Sequence, residues 1–423
     1  MNRKVAPKYT DIENIRFIEP ELLKFDNGLE MAIFKTGSQE IVKLEFVFEA
    51  GIMFQDKALV ASTCNAMLQE GSQLFTAEQI AESLDFNGSH LSLTIDKDFS
   101  KVTLVSLEKN IEEGVKILKD IILDPLFPED KLDKFLSKKL QSFKLESKKV
   151  KELSTRKFTR EVFGTEHPYG AVAQELDFGN VTREDLIKYH EKCYSPANCK
   201  MIVAGQFSES TIDLISENFS AWNKETLIKE PILFNASKIE EKEFLIVKDD
   251  AMQSAVRLGK ILFNKNHEDY SRMQVVNTIL GGYFGSRLMK NIREDKGYTY
   301  GIGSALISLK ETGYFTIMTE VNAEFSKETV EQVRKEIKIL RTDLIGEEEL
   351  DKVKSYLLGR LLRAVDGPLS LSESYLNVWA YGLDWKYYQE YIKVIKKISP
   401  QEVQDLTNKY LHEDSLIQVI AGK

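Results

Sequence analysis

The chain has 423 residues, 43% of them hydrophobic and 29% charged, an ordinary composition for roughly two to four globular domains. A formal net charge of −9 argues against nucleic acid as the main partner, and no apolar run reaches the ~20 residues of a membrane span. Three cysteines, Cys64, Cys193 and Cys199, cannot build a disulfide framework and match no zinc spacing, so they read as buried thiols.

The N-terminal residues lack the apolar core of a secretory signal, which places the protein in the cytoplasm; a signal trimmed away would make it periplasmic. Leu22–Phe25, a turn at Asp26-Asn27-Gly28 and Leu29–Lys35 read as a hairpin. Ile41–Phe48 is a β-branched and aromatic strand, and a helix covers about Lys57–Gln69. Thr76 with Gln79 forms a capping box for a helix that ends near Asn87-Gly88. Leu91–Ile95 and Val102–Leu107 are strands, and Ile111–Leu123 is helical by period. Pro125 and Pro128 break the pattern before one long helical stretch, Glu129 to about Val162, whose lysines read as a solvated face. After the loop 164–170, Thr182 and Asp185 cap a helix ending near Cys193; strand Met201–Ala204 and helix Ser210–Trp222 follow.

The segment 224–243 is charged and aperiodic and reads as a linker. Beyond it the chain repeats itself. Val181–Gly205 aligns without a gap on Ile398–Gly422 at an offset of 217, matching helix starts (Thr182, Ser399) and terminal Ala-Gly pairs. Upstream, an offset of 218 carries Leu132-Asp133-Lys134 onto Leu350-Asp351-Lys352. The expected fold is α+β: two homologous units, 1–223 and 244–423, each of about 200 residues and large enough to bury its own core. Such a pair encloses a cleft and forms half of a clamshell.

In the second unit, a short helix is expected from Ser286 to about Glu294, burying Leu288, Met289 and Ile292, with a stop at Lys296-Gly297 and a strand from Tyr298. Arg293 then ends the helix and Tyr300 opens the strand. Together they could hold a peptide carbonyl and its oxyanion. Equally, an arginine in a last turn suits the helix dipole, and a strand tyrosine packs.

Ile41–Phe48, Glu49-Ala50-Gly51, the helix with Met67-Leu68, Gly71-Ser72, His167-Pro168-Tyr169-Gly170 and the stretch Gly281–Ser304 together resemble the insulinase/pitrilysin family. These are inverted-motif zinc peptidases and include the mitochondrial processing peptidase. Active members carry H-x-x-E-H, two histidines one turn apart that bind zinc and a glutamate that activates water. The resemblance places those positions on Ser62, Asn65 and Ala66, which are not zinc ligands, and the further acidic ligand near Gln141 and Ser142, with Glu146 close by. The five histidines include no i,i+4 pair, and His267-Glu268-Asp269 reads as a polar turn.

What the resemblance does carry over is the substrate-side pair. Arg293 and Tyr300 have the family's spacing, with Tyr298 as the rival tyrosine, and Leu280-Gly281-Gly282 resembles a short glycine-rich loop, so that Gly281, Gly282 and Gly285 would touch substrate. The implied function is the zinc-less, substrate-binding subunit of a heterodimeric metallopeptidase. It would bind no cofactor itself, take a peptide substrate, and join a homologous subunit bearing the zinc motif. Without that partner it could homodimerise. An unfolded peptide could also pair with an exposed strand edge in either unit. The rival implication is a catalytically inactive scaffold or peptide-binding member of the same family.

Overall fold

The computed structural model describes residues 12, 14–223 and 241–423. In the first unit the strands are β1 (Glu21–Lys24), β2 (Glu30–Lys35), β3 (Ile41–Phe48), β4 (His90–Ile95), β5 (Ser100–Leu107) and β6 (Cys199–Gly205). Its helices are α1 (Val60–Met67), α2 (Ala77–Phe86), α3 (Ile111–Leu123), α4 (Glu129–Glu146), α5 (Val150–Phe163), α6 (Arg183–Cys193) and α7 (Glu209–Phe219). The second unit has β7 (Glu243–Val247), β8 (Gln253–Leu262), β9 (Thr299–Ser308), β10 (Gly313–Asn322) and β11 (Ile417–Gly422). Its helices are α8 (Tyr270–Asn277), α9 (Ser326–Thr342), α10 (Glu347–Ala364), α11 (Pro368–Trp379), α12 (Trp385–Lys397) and α13 (Pro400–Tyr410).

The sheets follow one plan. Their orders are β1-β2-β6-β3-β5-β4 and β7-β11-β8-β10-β9, so after the edge hairpin strand β1 every position corresponds. β2–β6 and β7–β11 are the parallel pairs, and the other ladders are antiparallel. The two aligned helix starts carry the same device: Thr182 with Asp185, and Ser399 with Glu402, form reciprocal capping boxes. The linker assigned to 224–243 lies outside the described residues except at its end, where β7 already begins at Glu243.

One helix differs from expectation. The stretch 129–162 is two helices, broken where Ser147 turns its hydroxyl back onto the Phe143 carbonyl and Lys149 adopts extended backbone. The break has a structural consequence. α5 leaves its own unit and lies on the second unit's sheet, against β8 and β11. Phe158, Val162 and Phe163 pack there with Ile417, Val419 and Tyr314. Gly259 permits the approach, because a Cβ on it would come within 2.6 Å of the Phe158 ring. The offset of 218 carries Val150 onto Pro368, the start of α11, and α11 does the reverse. Its Leu371, Tyr375, Leu376 and Trp379 cover Phe34, Val47, Ile202 and Ala204 of the first sheet. Each sheet is thus covered on one face by its own unit's helices and on the other by a helix from its twin.

Polar contacts lock the exchange. Tyr169, fully buried, donates its hydroxyl to Asp98, whose other oxygen accepts from the Lys310 backbone N–H at 3.0 Å. Lys310 also pairs with Glu49 across the same junction. The His167-Pro168-Tyr169 loop is therefore a joint between the units, with His167 Nδ1 accepting the Tyr169 N–H at 3.1 Å. Among the described residues, no helix is long and apolar enough to cross a membrane.

Candidate functional site

The first-unit positions lie on α1. Ser62 and Ala66 are one turn apart and half-buried, and the Ser62 hydroxyl donates to the Leu59 carbonyl at 3.1 Å. Asn65 is 2% exposed and donates its amide to the Tyr194 hydroxyl at 3.3 Å, inside a cluster where Phe48 packs on Tyr194 with ring centroids 4.6 Å apart. Burial pushes the Tyr194 phenol well above its ordinary range, so it stays neutral. An alanine, a serine bonded to its own helix and an amide committed to the core do not form a zinc donor set. Gln141, Ser142 and Glu146 are exposed on α4, and Glu146 pairs with Lys149 at 2.6 Å. Among the described residues, no three His, Cys, Asp or Glu side chains gather into a group that could hold a metal ion. His267 stacks on Phe263 at 3.9 Å and accepts the Asp269 N–H through Nδ1, which is a polar turn.

In the second unit the expected helix forms over residues 287–295, most of it as a π-helical turn, Met289–Asp295. Leu288, Met289 and Ile292 are buried as the spacing predicts. The glycines have separate roles. Gly281 is buried in the π-helical turn Thr278–Gly282 that runs beside β9; a Cβ there would lie 2.7 Å from both Ser304 N and Oγ. Gly282 is half-buried against Asn277, and Gly285 is exposed beside the Tyr283 ring. Close packing thus accounts for Gly281.

Tyr298 and Tyr300, two residues apart, do not share the environment that strand alternation would give them. β9 starts at Thr299, so Tyr298 precedes it and stacks on Phe325 with centroids 4.3 Å apart and planes 9° from parallel. Tyr300 sits on a β-bulge. Thr299 faces Val321 and Ile302 faces Thr319, so Tyr300 and Gly301 together stand opposite Glu320 alone. Strict alternation from buried Ile302 would turn Tyr300 toward the helices; the extra residue re-aims it, and its side chain is 96% exposed. Threonine hydroxyls hold the bulge. Thr299 Oγ1 donates to Glu320 O at 2.7 Å, and Thr319 Oγ1 donates to Gly301 O at 2.9 Å.

Tyr300 lines a cleft of about 390 Å³ between the N-terminal end of α5 and the second sheet. Lys151 and Ser154 form one wall; Arg257 on β8 and Met318 and Glu320 on β10 form the other. Arg293 is not in that lining: its guanidinium lies over the Phe284 ring, 4.5 Å from the centroid, and Phe284 is exposed. The structure therefore brings Tyr300 to an inter-unit cleft and rests Arg293 on a neighbouring aromatic. Sequence reasoning passed over Arg257. Its signal was a charge between Val256 and Leu258, in the apolar middle of the strand.

The chain is thus a twinned α+β protein with no metal donors at Ser62, Asn65 and Ala66 on its first-unit helix and with Tyr300 at the rim of a cleft in its second unit, the arrangement expected of a metallopeptidase homologue. The comparisons specify the family. Residues 31–166 match the description Insulinase (Peptidase family M16), and residues 180–357 match Peptidase M16 inactive domain. The chain belongs to the M16 peptidase family. It is 23% identical to the uncharacterized zinc protease YmxG of Bacillus subtilis over 84% of this chain and 86% of the relative. It is 22% identical to the non-peptidase homolog YmxG of Helicobacter pylori, over 90% of this chain and 88% of that one. In fold it resembles the peptidase M16 inactive domain from Pseudomonas fluorescens, with a TM-score of 0.85 at 23% identity, covering 96% of this chain and 98% of the other.

Proposed function

We propose that this chain is the substrate-holding, non-metal-binding subunit of a two-chain zinc metallopeptidase. The observation that carries the reading is the contrast between α1, where Ser62, Asn65 and Ala66 are not metal donors, and β9, where a bulge presents Tyr300 to a cleft. A helix that had only lost its function gives no reason for the other unit to keep a re-aimed, exposed tyrosine. Further support comes from two relatives' names: the H. pylori protein is called a non-peptidase homolog, and a B. subtilis relative 20% identical over 271 residues is called a probable inactive metalloprotease.

On this reading a homologous partner with an intact H-x-x-E-H motif supplies the metal and the general base. The residues of this chain bind and orient. The Tyr300 phenol donates to the peptide carbonyl and, more strongly, to the oxygen that becomes negative when the carbonyl is attacked. Arg293, released from Phe284, adds a cation to the same oxygen. The loop Gly281–Gly285 borders the path of the bound backbone. Each unit offers a strand edge, β4 or β9, for an extended peptide.

A second reading, an inactive scaffold, draws support from Arg293 lying outside the Tyr300 cleft. Reconstitution with the zinc-bearing homologue separates the two. Under the proposal, Arg293→Ala and Tyr300→Phe each lower peptide cleavage about 10²-fold with the pair still assembled. Full activity in both variants supports the scaffold.

A further inference from the structure

The two sheets correspond rung by rung. In the first, Glu45 on β3 pairs with Ile202 on β6; in the second, Arg257 on β8 pairs with Val419 on β11, the residue 217 positions after Ile202. Both side chains therefore stand at the same place, on the sheet face covered by the twin unit's helix. Glu45 is 3% exposed and has a counter-charge: Lys43, two residues back on the same face, brings its ammonium to 2.6 Å from Oε2, an ion pair without hydrogen-bond geometry. The residue equivalent to Lys43 is Ala255, opposite Ala421 as Lys43 is opposite Ala204. Arg257 thus lacks an in-strand partner. Its Nε is buried with no hydrogen-bond acceptor, and it makes no ion pair among the described residues. Burial lowers its pKa, although Tyr314, Glu152 and Glu320 are near enough to oppose that shift. Arg257 as a whole is half-buried, and a guanidinium whose Nε is shut off from solvent without an acceptor, at the wall of an open cleft, has room for a partner to enter.

We propose that Arg257 is a specificity-determining residue that receives a carboxylate of the bound peptide, an Asp or Glu side chain or a chain terminus, in the cleft beneath Tyr300. The assignment deepens the substrate-holding reading and rests on it for the peptide. A guanidinium fork matches a carboxylate in two parallel hydrogen bonds. Lys151 lines the same cleft from α5 and adds a second cation, against one acid, Glu320. The cleft's size suits one side chain with its flanking backbone rather than a folded domain.

The test uses the full chain with Arg side chains labelled at Nε, and Arg257→Met to assign the signal. N-acetylglutamate should shift the Arg257 Nε–Hε resonance saturably, and N-acetylglutaminamide, which carries no carboxylate, should not. By fluorescence anisotropy, an unstructured peptide with one Glu should bind about tenfold more tightly than its Gln counterpart. Arg257→Met should make the two equal, and amidating the peptide's C-terminus distinguishes a terminal carboxylate from a side chain. An unmoved resonance, or a Glu preference that survives Arg257→Met, overturns the assignment. If N-acetylglutamate binds and no peptide does, the cleft assignment stands and the substrate-holding reading fails. If peptides bind with neither a Glu preference nor a loss on amidation of the C-terminus, the reverse holds.

Discussion

Glu45 and Arg257 occupy the same rung in two sheets of one design, yet only the first has its counter-charge beside it. In the first unit the corresponding polar groups are taken up internally. α1 turns Asn65 into the core, and Lys43 neutralises Glu45 under α11. The second unit leaves the corresponding region open, with a bulged tyrosine at the rim and an unpaired cation in the wall. On the proposal made above, one architecture supports a structural half and a ligand-facing half. The difference lies in a few side chains rather than in topology.

The sharpest way to break that comparison is to delete each charge. Lys43→Ala strands a buried carboxylate and should cost about 3–5 kcal/mol in urea unfolding. Arg257→Met removes a desolvated cation without a partner and should be neutral within about 1 kcal/mol, or stabilising. Equal losses would mean that Arg257 is as fully paired as Glu45.

The joint between the units offers the next test. Burial raises Asp98 from 3.8 to about 6, against the opposing hydrogen bond from Tyr169. A carboxyl with a raised folded pKa binds its proton more tightly in the folded state. Its contribution is therefore fully present below about pH 4 and is lost as pH rises through 6. Relative to Asp98→Asn, the wild-type chain should lose about 2 kcal/mol of stability between pH 4 and pH 7. A flat difference would show that Asp98 titrates as though exposed. Gly259→Val probes the α5 contact and should cost about 1–3 kcal/mol by overpacking Phe158, whereas the equivalent rung of the first sheet already carries Val47 beneath α11. The smallest effect is expected at the bulge: Thr319→Val should cost about 1 kcal/mol through lost hydrogen bonds and loosen Tyr300, visible as faster amide exchange at Gly301.

Much of this was legible in the sequence. Hydrophobic period, capping boxes and the offset repeat identified the α+β class, the twin plan and the burial of Leu288, Met289 and Ile292. That Ser62, Asn65 and Ala66 are not metal donors follows from residue type alone. The helix exchange was not, since a break at 147–149 has no proline or glycine to mark it and α5 is amphipathic whichever sheet it covers. Nor was the bulge: an extra residue on one strand is visible only against its partner strand. Alternation alone therefore could not separate Tyr298 from Tyr300. Arg257 stood in plain view as a charge in a buried strand, but its meaning depends on Ala255 standing where the twin has Lys43.

The central claim is that this chain holds a peptide and relies on another subunit for the metal that cuts it. The most direct measurement is zinc content and peptide cleavage for the purified chain alone, after dialysis against zinc. The account predicts far less than one equivalent of bound metal and no chelator-sensitive cleavage, with activity appearing only when the H-x-x-E-H homologue is added. One tightly held zinc per chain with chelator-sensitive cleavage would contradict it.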